Sequence, residues 1–229
     1  KEGKFIDVSK ASGIFSSPLG YGLAITTADI NNDGWTDLYI GNDFHENDYI
    51  YINQKNKSFI EKSKEYLSHN SRFTMGVDIA DMNNDELLDI FTLDMMPFYR
   101  DVFLKSGGED TDQVSKIKKS FGYGDQYARN NFHLNRGDSK FSEIAIYNQT
   151  HATDWSWSVL LQDLNNDGEN DIFITNGIYK RPNDLDYINY ISDFDFRAFE
   201  GSKQKSLNKK LIDKMPTLKI PNIIFLNKG

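Results

Sequence analysis

Three nine-residue stretches carry the densest chemistry in this chain: DINNDGWTD from Asp29, DMNNDELLD from Asp81 and DLNNDGEND from Asp163. Each has carboxylates at positions 1, 5 and 9 and an asparagine at position 3, and none contains Lys or Arg. Two carboxylates about 4 Å apart repel by roughly 4 kcal/mol at an effective dielectric near 20, so the cluster opposes folding until a positive charge joins it. The oxygen donors are Asp29, Asn31, Asp33 and Asp37 in the first copy, Asp81, Asn83, Asp85 and Asp89 in the second, and Asp163, Asn165, Asp167 and Asp171 in the third. Position 7 adds a backbone carbonyl from Trp35, Leu87 and Glu169. Three carboxylates in a flexible loop able to supply five or more oxygens suit Ca²⁺ better than Mg²⁺, and up to three structural Ca²⁺ ions are expected.

An EF-hand would need a bidentate Glu at position 12 and helical flanks. Position 12 is Ile40, Thr92 or Ile174, within strand-like runs, so that reading fails. Gly34 and Gly168 stand at position 6, where the loop must turn sharply, and the second copy has Glu86 instead. A left-handed position costs a residue with a Cβ about 1 kcal/mol, so the middle site is expected to be the weakest.

The elements that must hold these loops are strands. An aromatic stands eight residues before each loop, Tyr21, Phe73 and Trp155, and opens a period-two alternation. After each loop comes DLYIGN, DIFTLD or DIFITN, rich in β-branched and aromatic residues. Each acidic loop thus tips a hairpin. A second hairpin follows in NDYIYINQKNKSFIEKS and NNFHLNRGDSKFSEIA, with Asn53 to Phe59 spaced like Asn135 to Phe141. Four strands per repeat of this length indicate an all-β chain of three four-stranded β-propeller blades. The repeats lie near 20–61, 72–144 and 154–229, with insertions at 96–129 and 178–220. In the second insertion DLDYINYISDFDFRAFE and LNKKLIDKM read as short amphipathic helices. PNIIFLNKG reads as the third strand of the third blade, and KEGKFIDVS as a chain resuming just past an equivalent turn.

The formal net charge of −8, from 34 acidic against 26 basic residues, argues against a nucleic-acid partner. Without cysteine there is neither a disulfide nor a thiolate metal site. No apolar run is long enough to span a membrane.

The three loops, the preceding YGLAITTAD, TMGVDIAD and WSWSVLLQD, and the outer turns with Asn six residues before Phe together resemble FG-GAP/VCBS repeats, the blades of integrin-α propellers and of many bacterial secreted or surface proteins. TNGIYKRPNDLDYIN and DKMPTLKIPN are similar to a bacterial subgroup often associated with an ASPIC/UnbV module. The resemblance implies Ca²⁺ in the hairpin loops, a propeller usually of seven blades and a place outside the cytoplasm, on the bacterial surface or secreted. Residues 1–229 read as one propeller domain of three repeat periods cut at the same point: either the last blade closes by pairing its two halves, or further blades lie in the same polypeptide, which is the expectation because blades usually number four to eight. The expected function is a calcium-stabilised binding or scaffold module for a protein or ligand partner, without catalysis. Glycan binding or processing on the face bearing the insertions is the alternative, with Asp43, Asp94, Asn176 and Arg181 as candidate ligand-binding residues.

Other motifs read as structure. RGDS at Arg136–Ser139 occupies an outer turn, Trp155 and Trp157 fall in register with presumed core positions, and four histidines are scattered without period.

Overall fold

The computed structural model describes residues 3–15, 17–107, 109–193 and 201–229. In chain order the first unit comprises β1 (Tyr21–Ala28), β2 (Asp37–Asp43), β3 (Tyr49–Asn53) and β4 (Phe59–Glu61). A short helix α1 (Ser63–Tyr66) and β5 (Asn70–Ser71) lead to β6 (Gly76–Ala80) and β7 (Asp89–Leu93). The first insertion holds α2 (Arg100–Lys105), α3 (Asp112–Ser120) and β8 (Gln126–Tyr127), and β9 (Asn131–Asn135) and β10 (Phe141–Glu143) complete the second unit. The third unit has β11 (Ser156–Gln162), β12 (Asp171–Asn176), α4 (Leu185–Ser192), α5 (Gly201–Lys214) and β13 (Ile223–Phe225).

The strands form antiparallel meanders, β1-β2-β3-β4 and β6-β7-β9-β10, with the acidic loops joining the first two strands of each. The third sheet has three strands, β11-β12-β13, rather than the four expected. Its register repeats the first unit's: Ile172 lies opposite Phe225 as Leu38 lies opposite Tyr51. Both insertions leave from the strand ends opposite the acidic loops, as expected. The first is tied back by a parallel pairing of β5 with β8. In the second, Asp184 caps α4 by accepting the Tyr187 amide. The helix expected at LNKKLIDKM begins earlier, as α5 at Gly201, and the Phe194–Glu200 part of the other expected helix lies outside the described residues.

The sheets stack through two apolar layers. Ile30, Tyr39, Ile50 and Ile52 of the first unit pack on Val77, Ile79 and Ile90 of the second. Phe91, Leu93, Phe132 and Leu134 of the second pack on Val159, Leu161, Ile172 and Ile174 of the third. Burying a side chain of this size contributes about 1.5–3 kcal/mol, so these layers hold the units together. The inner strands approach so closely that a Cβ on Gly76 would lie 2.7 Å from the Trp157 carbonyl oxygen. Among the described residues no helix is long and apolar enough to cross a membrane.

Candidate metal centre and the opposite face

Position 1 folds each acidic loop around itself. Asp29 accepts the amides of Asp33 (2.8 Å) and Gly34 (2.6 Å). Asp81 accepts those of Asp85 and Glu86, and Asp163 those of Asp167 and Gly168. In every copy the position-3 asparagine donates through Nδ2 to the position-5 carboxylate: Asn31 to Asp33, Asn83 to Asp85, Asn165 to Asp167, at 3.2, 3.0 and 2.8 Å. The position-5 carboxylates accept the amides of Trp35, Leu87 and Glu169. Position 6 is left-handed throughout, with φ of +85° at Gly34, +67° at Glu86 and +93° at Gly168. Position 4 is left-handed too, at Asn32, Asn84 and Asn166, which explains the paired asparagines of all three loops.

The position-9 carboxylates are wholly buried. Asp37 accepts the amides of Ile30 and Asn53, Asp89 those of Met82 and Asn135, and Asp171 those of Leu164 and Asn227. Each of these asparagines in turn donates its Nδ2 to the acidic loop, at the Thr36, Leu88 or Asn170 carbonyl. The outer turn is thereby locked to the inner loop three times over. Burial pushes Asp37 above its ordinary pKa, against the amides of Asn53 and Ile30. Burial takes Asp89 up to about 6, against the Asn135 and Met82 amides, and the charges of Asp85 and Asp81 add to it. Countercharge is uneven: Lys55 Nζ lies 3.4 Å from Asp33, whereas Gly137 occupies the equivalent turn position beside the second loop.

Among the described residues no three acidic or imidazole groups converge on one point as ion ligands do. The donor chemistry nevertheless fits a hard cation on one observation: Asn31 Oδ1, an expected ligand, is buried without a hydrogen-bond donor. The carboxylate oxygens also keep lone pairs beyond those the amides use. An ion would be held by the residues at positions 1, 3, 5 and 9 and by the position-7 carbonyl, and would supply neutralising charge.

The opposite face differs from the sequence expectation. The residues in register there are Asn42, Asp94 and Asn176, whose amides donate to the side chains of Asp48, Asn130 and Asn222. Asp94 is buried, raised to about 6 by burial, and its carboxylate accepts from the Ser71 hydroxyl and the amides of Arg72, Phe73 and Met95. Asn176 donates to the Pro221 carbonyl, and the buried Arg181 is paired with Asp154. These three candidates are engaged in the fold. Asp43, partly buried, accepts the Phe44 amide.

Trp155 and Trp157 are partly exposed and belong to neither apolar layer, so they are not core residues. Trp155 instead lines a cleft of about 350 Å³ with Phe44, Phe73, Met95, Met96 and Phe103. Tyr21, Phe44 and Phe73 make a run of edge-on contacts at 5.6 and 5.8 Å beside it. The register hid this because alternation reports which face a side chain takes, and the strand's end leaves that face open. The RGDS residues form the outer turn expected of them, with φ of +76°, +51° and +58° at Gly137, Asp138 and Ser139. Two of the four histidines come together: His69 and His133 rings lie 6.0 Å apart, next to an ion pair of Arg129 with Glu143. Burial raises the Glu143 carboxyl, but His69, the Ala145 and Phe132 amides and Arg129 outweigh it and bring the pKa to about 2.

Antiparallel sheets stacked face to face, each tipped by an acidic hairpin loop, define a repeat protein built of propeller-type blades. The chain belongs to the FG-GAP-like repeat family, whose model matches residues 29–92 and 121–174, slightly more than half of its length. Integrin alpha-3 of Cricetulus griseus and of Mus musculus are each 36% identical over 81 residues, 31% of this chain and 8% of theirs. The chain therefore spans under a tenth of the length of these relatives.

Proposed function

We propose that this chain is a calcium-stabilised β-propeller interaction module of a secreted or cell-surface bacterial protein, with structural ions in the three acidic loops and a protein or ligand partner on the opposite face. The observation that carries the reading is the threefold repetition of one loop geometry around carboxylates that lack sufficient countercharge. A cation there relieves the repulsion among Asp81, Asp85 and Asp89 and fixes the hairpin tip, leaving the other end free to vary. The proposed role is binding rather than catalysis.

Calcium-dependent melting tests the reading. A native-only ion at a hundred times its Kd adds about 2.7 kcal/mol per site, so the melting temperature should rise with calcium and fall in EDTA. Equal melting in both conditions contradicts it. The exposed aromatics at the cleft favour a second reading, glycan recognition by ring stacking. Glycan-array binding lost in Trp155→Ala and Phe44→Ala would establish it, and an array without signal would remove it.

A further inference from the structure

The acidic loops are alike within themselves and unlike in how they meet one another. Between the second and third, asparagine side chains cross from loop to loop. Asn84 Nδ2 of the second donates to the Glu169 carboxylate at 2.9 Å and to the Gly168 carbonyl at 3.3 Å. Asn170 Nδ2 of the third donates to the Asp81 carbonyl at 2.8 Å. Asn227, tied to the third loop through the Asp171 carboxylate and the Asn170 carbonyl, shares its Nδ2 with the Met82 carbonyl of the second. Between the first and second loops none of these bonds has a counterpart among the described residues. A cavity of about 280 Å³ lies there instead, lined by Asp29, Asn32, Glu86, Leu87 and Leu88.

Two residues account for the difference. Positions 7 and 8 of the third loop are Glu169 and Asn170, which supply an acceptor and a donor, whereas the second loop has Leu87 and Leu88, whose side chains supply neither. Asn32, in the place of Asn84, has no carboxylate to reach, and the Asp29 carbonyl lacks the side-chain donor that the Asp81 carbonyl has.

The crossing bonds fall on residues that would hold the ions. Asp81 is position 1 of its loop, and its carboxylate gathers the Asp85 and Glu86 amides. Glu169 is position 7 of its own, the expected carbonyl ligand. Each loop therefore steadies a residue with which the other would bind. A second ion entering a loop that is already ordered does not meet the ordering cost again, which couples the two sites positively. The opposing effect is electrostatic: a bound cation cancels charge that draws the next one, but screening confines this to about 8 Å at physiological ionic strength. The braced pair also contains the one loop with a left-handed glutamate, Glu86 at φ +67°.

We propose that the second and third loops form a cooperative pair of calcium sites, coupled through the Asn84 and Asn170 side chains, and that the first loop fills independently. This rests on the calcium reading above and adds how its sites are regulated. Filling the third loop raises the affinity of the second by about fivefold or more, and linkage makes the reverse factor equal. The second loop, the weakest taken alone, thus fills together with the third.

A calcium titration in about 0.15 M salt, followed by NMR at the position-6 amides of Gly34, Glu86 and Gly168, reads each loop separately. In the wild type Glu86 and Gly168 should shift together on one steep curve, with a Hill coefficient above unity, and Gly34 on a simple curve of its own. Separate simple curves for Glu86 and Gly168 overturn the proposal without recourse to any variant. Asn84→Gly with Asn170→Leu removes the two crossing side chains, suits the left-handed position 84 and places at 170 the residue type found at 88. The two curves should then part while that of Gly34 stays where it was; curves that remain joined overturn the role of these asparagines. Emptying the third loop with Asp163→Asn and Asp167→Asn should raise the half-filling concentration at Glu86 about fivefold or more, without changing the count of ions that the other loops take at saturation. A rise under about twofold overturns the coupling. Three signals that ignore calcium remove the metal reading itself, whereas three that respond independently remove this inference alone.

Discussion

The two ends of the stacked sheets obey different rules. At the loop end the same bonds recur three times, from the position-1 carboxylate that gathers amides to the buried position-9 carboxylate that ties in Asn53, Asn135 or Asn227. At the insertion end the pairing of Asn42, Asp94 and Asn176 with Asp48, Asn130 and Asn222 repeats, while much of what surrounds it diverges into helices, an aromatic cleft and ion pairs. Repetition marks what every sheet needs in order to close its hairpin, and divergence marks where a partner can be specified without disturbing it.

The sharpest way to break the comparison is at position 9. Asp89→Ala leaves the Met82 and Asn135 amides without their acceptor inside the fold, and should cost about 3 kcal/mol in urea denaturation. A cost under about 1 kcal/mol would mean that the recurring bonds do not hold the loop end. A smaller effect comes from the one irregular loop: Glu86→Gly relieves a left-handed residue at φ +67° and should stabilise the chain by about 1 kcal/mol while tightening the second ion site. The same change in a loop that needed its Glu would weaken calcium binding instead.

The insertion end makes a pH prediction. Burial raises Asp48 to about 7, against hydrogen bonds from the Asn42 amide, Tyr39 and Thr74, with the charge of Asp94 adding. Because the folded pKa exceeds the ordinary 3.8, the native state holds the proton more tightly. This contribution to stability is complete below about pH 4 and is lost as pH rises through about 7. The gap in stability between wild type and Asp48→Asn should therefore shift in favour of the variant over that window. A gap that does not move with pH would place the charge of Asp48 elsewhere. The smallest effect belongs to the cleft: Trp155→Ala should leave the calcium-dependent rise in melting temperature unchanged, and a lost rise would couple the two ends.

What the sequence revealed was what repeats. The acidic loops, the hairpins they tip, the insertions at 96–129 and 178–220 and the RGDS turn were legible because Asp, Asn and Gly recur at fixed offsets that only turns require. The left-handed asparagines at 32, 84 and 166 carried the same signal and could have been read. The partners at the insertion end repeat too, since Asp48, Asn130 and Asn222 each stand five residues before Asn53, Asn135 or Asn227, but that they accept the amides of Asn42, Asp94 and Asn176 follows only from cross-strand register. Arg181 and Asp94 looked available because a charge in a sequence is read as exposed until its partner is known, here Asp154 for the first and the Ser71 hydroxyl for the second. The gathering of His69 and His133 with Arg129 and Glu143 draws on three stretches, around His69, over residues 129–133 and at Glu143, and only the fold brings His69 to the other two.

Counting bound ions tests the central claim most directly. Equilibrium dialysis of the folded chain against millimolar calcium should give three ions per chain, and two when Asp163→Asn is combined with Asp167→Asn. A chain that stays folded and binds none at that concentration would contradict the account.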